Sequence, residues 1–227
     1  MSKYKIPDFE KIELEVTQSL STLKRHGIKL NIPEQLTKKI SHTSLFDGSD
    51  GLFKELIKNI NVYFEYGCGK STEYVYKYTS AKIFSVDTSE FWANKILQLN
   101  SLKNSDRLNI RYIDVGEIGD WGTPLTFEKR LNFKSYAENL FNNSINPDLI
   151  LIDGRFRILC FLTSLKLAPV STKILFDDYT NRKLYHVVEE IIKPIEICGR
   201  QALFEVNQNV KDKINKELLD SFQNVII

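Results

Sequence analysis

The sequence predicts a doubly wound α/β fold whose mostly parallel sheet closes with an antiparallel hairpin, and three observations carry that prediction. From residue 51 onward short apolar runs alternate with amphipathic stretches, the runs end at acidic residues, and the last two runs flank a Gly-Arg pair. Alternation at this spacing builds βαβ units, with helices on both faces of a parallel sheet. The predicted strands are 62–66, 82–86, 109–113, 148–152 and 173–176, and helices are expected near 71–79, 89–100, 133–143, 155–166 and 182–192. The closing segment PIEICGRQALFEV places two strand-like runs around Gly199–Arg200, which is a hairpin signal. Five parallel strands and a hairpin make a seven-stranded sheet.

The first 50 residues follow a different period. Phe9, Ile12, Val16, Leu20 and Leu23 recur at steps of three and four, marking an amphipathic helix that ends at Gly27. A second helix is expected near Pro33, where a missing N–H costs little in a first turn. The expected organisation is a helical extension over 1–50 and an α/β domain over 51–227. The extension has three roles open to it, as a lid, a dimer surface in a homodimer, or cover for the core.

Composition excludes several classes. Apolar residues make up 42% and charged residues 26% of the 227, the ordinary globular mixture. No apolar run approaches the roughly 18–20 residues that cross a bilayer, so no membrane partner is expected. The N-terminus has no apolar segment behind its first lysines, so it does not read as a secretory leader. Cys68, Cys160 and Cys198 are odd in number and lack ligand-like spacing, which fits reduced thiols in a cytoplasmic protein. Lys and Arg exceed Asp and Glu by only 2, so no electrostatic grip on nucleic acid is expected.

Ligands of open α/β sheets bind beyond the carboxyl ends of the strands. Those ends carry Glu65, Asp87, Asp114, Asp153 and the pair Asp177–Asp178. A single acid there is as often a helix cap; five strands in succession form a rim of acceptors suited to hydroxyls, amines or a cation. The first strand runs into Glu65-Tyr66-Gly67-Cys68-Gly69-Lys70-Ser71-Thr72. A P-loop needs glycine where Phe64 stands, and a dinucleotide fingerprint needs glycine where Thr72 stands. Asp87, twenty residues after Gly67, keeps a nicotinamide site open. A third pattern fits better: an acid, G-x-G, a small hydroxyl residue and a second acid ending the next strand.

That pattern resembles motifs I and II of the class I S-adenosylmethionine-dependent methyltransferases, over roughly residues 50–206 with the closing hairpin included. The resemblance implies a Rossmann-like methyltransferase fold that binds S-adenosyl-L-methionine. It implies that Glu65 orients the methionine end and that the Gly67–Gly69 turn, with Cys68, Ser71 and Thr72, passes beneath it. Asp87 with Thr88 would serve the ribose, Asp114 the adenine, and Asp153 the inner side of the cofactor. Trp121 lies in the irregular stretch 114–132 and would cover a flat surface. Ser71 departs from the family pattern by replacing the third glycine of motif I.

Strands four and five end as in metal-assisted O-methyltransferases, which implies Mg2+ on Asp153, Asp177 and Asp178. Without a metal, a hydroxyl acceptor needs a general base, and His186 and Asp178 are the candidates. Arg155 and Arg157 either clamp an anionic group on the acceptor or neutralise the neighbouring aspartates. The expected activity is methylation of a small molecule at oxygen, with a sugar-like acceptor suggested by the acid rim. The Asn/Asp-Pro-Pro-Tyr/Phe signature of amino- and base-methylating relatives is absent, since Gly154-Arg155-Phe156 follows Asp153. A nicotinamide-dependent oxidoreductase and a non-catalytic nucleoside-binding scaffold remain as alternatives.

Overall fold

The computed structural model describes residues 44–46, 50–99, 105–142 and 144–226. The helices expected around Phe9–Leu23 and Pro33 lie outside these residues. The chain divides after Leu52, and the unit Phe53–Ile227 holds the sheet. A short helix, α1 (Gly51–Leu56), crosses that division.

The strands are β1 (Val62–Tyr66), β2 (Lys82–Asp87), β3 (Leu108–Tyr112), β4 (Leu149–Ile152), β5 (Lys173–Phe176), β6 (Glu196–Cys198) and β7 (Gln201–Glu205). Their order across the sheet is β3-β2-β1-β4-β5-β7-β6. The first five run parallel, while β7 is antiparallel to both β5 and β6. Between the strands lie α2 (Lys70–Tyr78), α3 (Glu90–Leu97), α4 (Leu131–Glu138) and α5 (Arg157–Leu167), each within a few residues of its expected place. No helix among the described residues is long and apolar enough to cross a membrane.

Period-2 alternation divides the work of the two faces. Phe64, Tyr66, Val86, Ile150, Ile152, Ile174, Phe176, Ala202 and Phe204 point into one core, which α5 fills from Ile158 to Leu165. Glu65 and Ser85 sit one residue out of phase and so face the opposite side. Helix α5 is buried along its length because it packs against β4, β5 and α4, a place that its apolar composition suits.

Two segments depart from expectation. Residues 182–192, expected to be α-helical, form a 3-10 helix over Lys183–Glu190. Three residues per turn stack Tyr185 over Val188, and both are buried, so the tighter helix keeps one line of side chains on the core. After β7 come α6 (Gln208–Lys213) and α7 (Lys216–Phe222), which the sequence reading did not assign. Their signal was present: Asn207 and Asn215 accept from the backbone N–H groups of Val210 (3.0 Å) and Leu218 (2.9 Å) as N-caps.

The sheet ladder overruns its strands at the switch point. Gly67 N–H donates to Val86 O (2.8 Å), Asp153 N–H to Tyr66 O (3.0 Å) and Asp177 N–H to Ile152 O (3.0 Å). Gly67, at φ +89°, then lies flat against Gly154. A Cβ on Gly67 would stand 2.7 Å from Gly154 Cα, and one on Gly154 would stand 2.2 Å from the Tyr136 hydroxyl. Backbone meets backbone there, so neither glycine has room for a methyl group. Gly154→Ala and Gly67→Ala should each cost about 3 kcal/mol or more, whereas Gly69→Ala, with nothing within 4 Å of its Cβ, should stay within about 0.5 kcal/mol. Urea unfolding of the three variants checks this contrast.

Candidate functional site

The turn from β1 into α2 is held from below by Glu65. Its carboxylate is fully buried and accepts from four hydroxyls: Tyr63 (3.0 Å), Ser85 (3.2 Å), Ser71 and Thr72. Ser71 and Thr72 are thereby tied to the sheet, and Thr72 Oγ1 also accepts from Gly69 N–H (2.9 Å) to close the first turn of α2. With its oxygens turned to these hydroxyls, Glu65 positions the Gly67–Gly69 turn. Its bonds within the protein support the loop. Burial pushes its pKa up to about 7, against the pull of the four hydroxyls. Ser71, where the family pattern has glycine, is explained by this bond.

Asp87 ends β2 beside that turn. Its Oδ2 accepts from Cys68 N–H (2.9 Å) and its Oδ1 from Ser89 N–H (2.7 Å), which fixes the carboxylate between two loops. Each oxygen keeps a lone pair for a further donor. Burial raises its pKa while the two N–H groups oppose the rise. Cys68 is buried, and its thiol is pushed up by that burial and by Asp87, so it supplies backbone here and no nucleophile. Thr88 donates to Gly122 O (2.8 Å), so its hydroxyl is engaged with the next loop.

That loop is more regular than its composition suggested. Gly119 N–H donates to Thr123 O (2.8 Å) and Leu125 N–H to Glu117 O (2.8 Å), around a bridge between Ile118 and Pro124. The result is a small hairpin with Trp121 at its tip, 84% exposed and held at φ +59°. Asp114 precedes it; its carboxylate pairs with Lys129 and accepts from Gly116 N–H (3.0 Å), which keeps its pKa low.

At the other end of the rim, Asp153, Asp177 and Asp178 can bring one carboxylate oxygen each within 4.8 Å of one another. A hard cation would suit such a set if the oxygens were open. They are not. Arg200 forks onto Asp177 through Nε (3.0 Å) and Nη2 (2.6 Å), and Asp177 has no exposed surface. Asp178 meets Arg182 (3.0 Å), Arg157 (3.2 Å) and Arg200 (3.5 Å). Asp153 Oδ1 accepts from Arg157 Nη2 (3.0 Å). Three guanidiniums already compensate three carboxylates, and the expected Mg2+ site does not fit this donor set.

The same geometry sets the surroundings of the two expected bases. The arginines hold Asp178 below its ordinary pKa, so it stays ionised and is a weak base. His186 stacks on Tyr179 (4.8 Å between centroids) with Nε2 3.1 Å from the Tyr179 carbonyl. A carbonyl only accepts, so Nε2 carries the proton in this bond, and Nδ1 faces Glu189 at 3.7 Å. His186 thus braces the 3-10 helix. Of these three carboxylates, Asp153 keeps an oxygen open: Oδ2 makes no hydrogen bond among the described residues, and burial with the Asp177 charge pushes its pKa up.

No sequence-family model matches the chain, and no curated protein matches it. Among solved structures it is similar to a methyltransferase-like protein from Silicibacter pomeroyi DSS-3, at 27% identity and a TM-score of 0.66, over 86% of this chain and 97% of that one. Weaker likenesses are to the N-methyltransferase NodS from Bradyrhizobium japonicum WM9 in complex with S-adenosyl-L-homocysteine (13%, TM-score 0.47, 83% and 98% of the two chains) and to a methyltransferase from Geobacter sulfurreducens (10%, 0.45, 91% and 93%).

The Glu65 cluster makes a prediction that needs no ligand. A carboxyl raised on folding binds more protons folded than unfolded between its ordinary 4.5 and about 7. Its contribution is therefore fully present below that window, falls as pH rises through it, and is constant above. By thermal denaturation Glu65→Gln should lose this slope and, at pH 8, recover about 2–3 kcal/mol relative to its difference from wild type at pH 4.5.

Proposed function

We propose, for a chain that carries the fold of the class I S-adenosylmethionine-dependent methyltransferases, that it transfers a methyl group from S-adenosyl-L-methionine to an oxygen of a small molecule. The observation that carries the reading is Gly69. Its missing side chain faces open space, in the turn whose Cys68 N–H holds the Asp87 carboxylate, and no atom among the described residues lies within 4 Å of where a Cβ would stand. A ligand that runs close over the backbone does require a glycine there. The antiparallel β7 also separates this sheet from the all-parallel dinucleotide-binding order and weighs against a nicotinamide cofactor.

The residues fit the cofactor. The Gly67–Gly69 backbone would lie beneath its methionine end, and the free lone pairs of Asp87 would accept its ribose hydroxyls. Asp114, at the end of the next strand and partly exposed, is the acceptor available to its adenine. Bound there, the sulfonium supplies an electrophilic methyl group. The protein's remaining tasks are alignment of the acceptor and removal of its proton. For the second we assign Asp153. Arg157 anchors one of its oxygens, the other is open, and its raised pKa brings it nearer the working pH of a base.

Calorimetric titration with S-adenosylhomocysteine tests the cofactor, with NAD in parallel. Saturable binding of the former alone is expected. Gly69→Val should weaken it at least about 10-fold with stability held within about 1 kcal/mol, and Asp87→Ala should abolish it. No binding at millimolar concentration would end the methyltransferase reading. For the base, turnover of a hydroxyl acceptor should fall as pH drops through the raised Asp153 value, above the usual carboxylate range. Asp153→Asn should cost about 10²–10⁴ in kcat with S-adenosylhomocysteine affinity retained; near-wild-type turnover would remove Asp153 from the role.

A further inference from the structure

Arg155 and Arg157 leave β4 two residues apart, yet they end in different environments. Phe156 between them is left-handed (φ +53°), buried, and stacked on Phe133 at 4.3 Å, so the chain reverses as α5 begins. Arg157 turns inward. Its guanidinium is consumed by Asp153, Asp178 and the carbonyls of Gly154 (3.0 Å) and Asp177 (2.7 Å).

Arg155 turns toward the Trp121 hairpin. Its Nη1 donates to Thr123 Oγ1 (3.1 Å), which pins the plane of the fork. Its Nε is buried and has no partner, and no carboxylate among the described residues pairs with it. Asp87 feels its charge, but no hydrogen bond or ion pair joins the two. Around the rim stand four guanidiniums, of Arg155, Arg157, Arg182 and Arg200. The three carboxylates Asp153, Asp177 and Asp178 are all engaged by the last three. Burial, with the like charges of Arg157 and Arg182, pushes the Arg155 pKa down. A half-buried cation with an orphan donor and cationic neighbours is costly unless an anion completes it.

A guanidinium pinned at Nη1 keeps an Nε–Nη2 edge that no protein group fills, with Nε buried at its inner end, and these two parallel donors match a carboxylate or a phosphate. We propose that Arg155 is the specificity-determining residue of the acceptor site and binds a carboxylate or phosphate carried by the acceptor. The proposal rests on the methyl-transfer reading above and adds to it that the acceptor is an anion. Arg155 stands two residues from Asp153, so one ligand held by its anionic group on Arg155 can turn a hydroxyl toward the open Asp153 oxygen. A neutral sugar would leave the Nε–Nη2 edge of Arg155 without a charged partner.

The test is calorimetric, on the full chain, with wild type, Arg155→Gln and Arg155→Lys. Each protein is titrated with S-adenosylhomocysteine, with 5′-methylthioadenosine, which lacks the methionine carboxylate, and, when saturated with S-adenosylhomocysteine, with benzoate and with inorganic phosphate. The expected result is one saturable benzoate or phosphate per wild-type chain, weakened at least tenfold in Arg155→Gln and partly restored in Arg155→Lys, with S-adenosylhomocysteine affinity unchanged. If Arg155→Gln weakens S-adenosylhomocysteine but not 5′-methylthioadenosine, Arg155 serves the cofactor's carboxylate and the proposal is overturned. Anion binding equal in wild type and Arg155→Gln, or absent from wild type, overturns it too. If wild type binds no S-adenosylhomocysteine, the methyl-transfer reading fails by itself. Benzoate and phosphate titrations of the unliganded proteins then still decide Arg155, loss in Arg155→Gln supporting an anion site and no difference overturning it.

Discussion

The contact of Gly67 with Gly154 is the constraint on which the rest of the rim depends. Two strands that are neighbours in space but leave in opposite directions, β1 toward α2 and β4 toward α5, must diverge at this point. Continuing the ladder one residue further brings their backbones to within side-chain distance of each other. Everything placed around the crevice takes its position from there. Gly69 and Asp87 lie on one side, Asp153 and Arg155 on the other, and the Tyr136 hydroxyl closes the floor against Gly154. Glu65 performs the complementary task from the opposite face, gathering four hydroxyls so that the first turn of α2 cannot drift.

Charge at the rim is organised in two halves with different logic. Around β1 and β2 the carboxylates meet backbone N–H groups and hydroxyls, which leaves lone pairs for a polar ligand. Around β4 and β5 the carboxylates meet arginines, which makes them a poor set for a metal, and Arg155 pairs with no carboxylate among the described residues. The Arg200 fork on Asp177 illustrates the second half. A fully buried carboxylate persists because both its oxygens find parallel donors, and removing either partner would strand the other.

Much of this was legible in the sequence. The β1, β2, β4 and β5 runs are apolar and short, and the acids that follow them are spaced by whole βαβ units, so both the strands and the rim could be placed. The hairpin was readable from Gly199–Arg200. What escaped was pairing at long range. Asp153, Asp177 and Asp178 look like ligands until Arg200, more than twenty residues on, is brought beside them. Gly154 is an unremarkable loop glycine until its partner, 87 positions earlier, is known. His186 had the right spacing for a base, but spacing does not reveal that Tyr179 folds back beneath its ring. Lys183–Glu190 was misread because Tyr185 and Val188, three apart, satisfy an α-helix and a 3-10 helix alike. Asp114 and Thr88 follow β3 and β2, and their partners, Lys129 and the Gly122 carbonyl, lie in a loop whose order the composition concealed.

The exposed tip of the 117–125 hairpin also makes the protein its own optical probe. The chain has two tryptophans. Trp92, 37% exposed, lies on α3 with the Lys95 ammonium 4.1 Å from its ring, whereas Trp121 stands 84% in water. The red-edge emission of the native protein therefore comes chiefly from the hairpin, and acrylamide reaches that indole first. Because Thr88 and Arg155 both fasten this hairpin, the more exposed indole sits on the segment that the two ends of the crevice share.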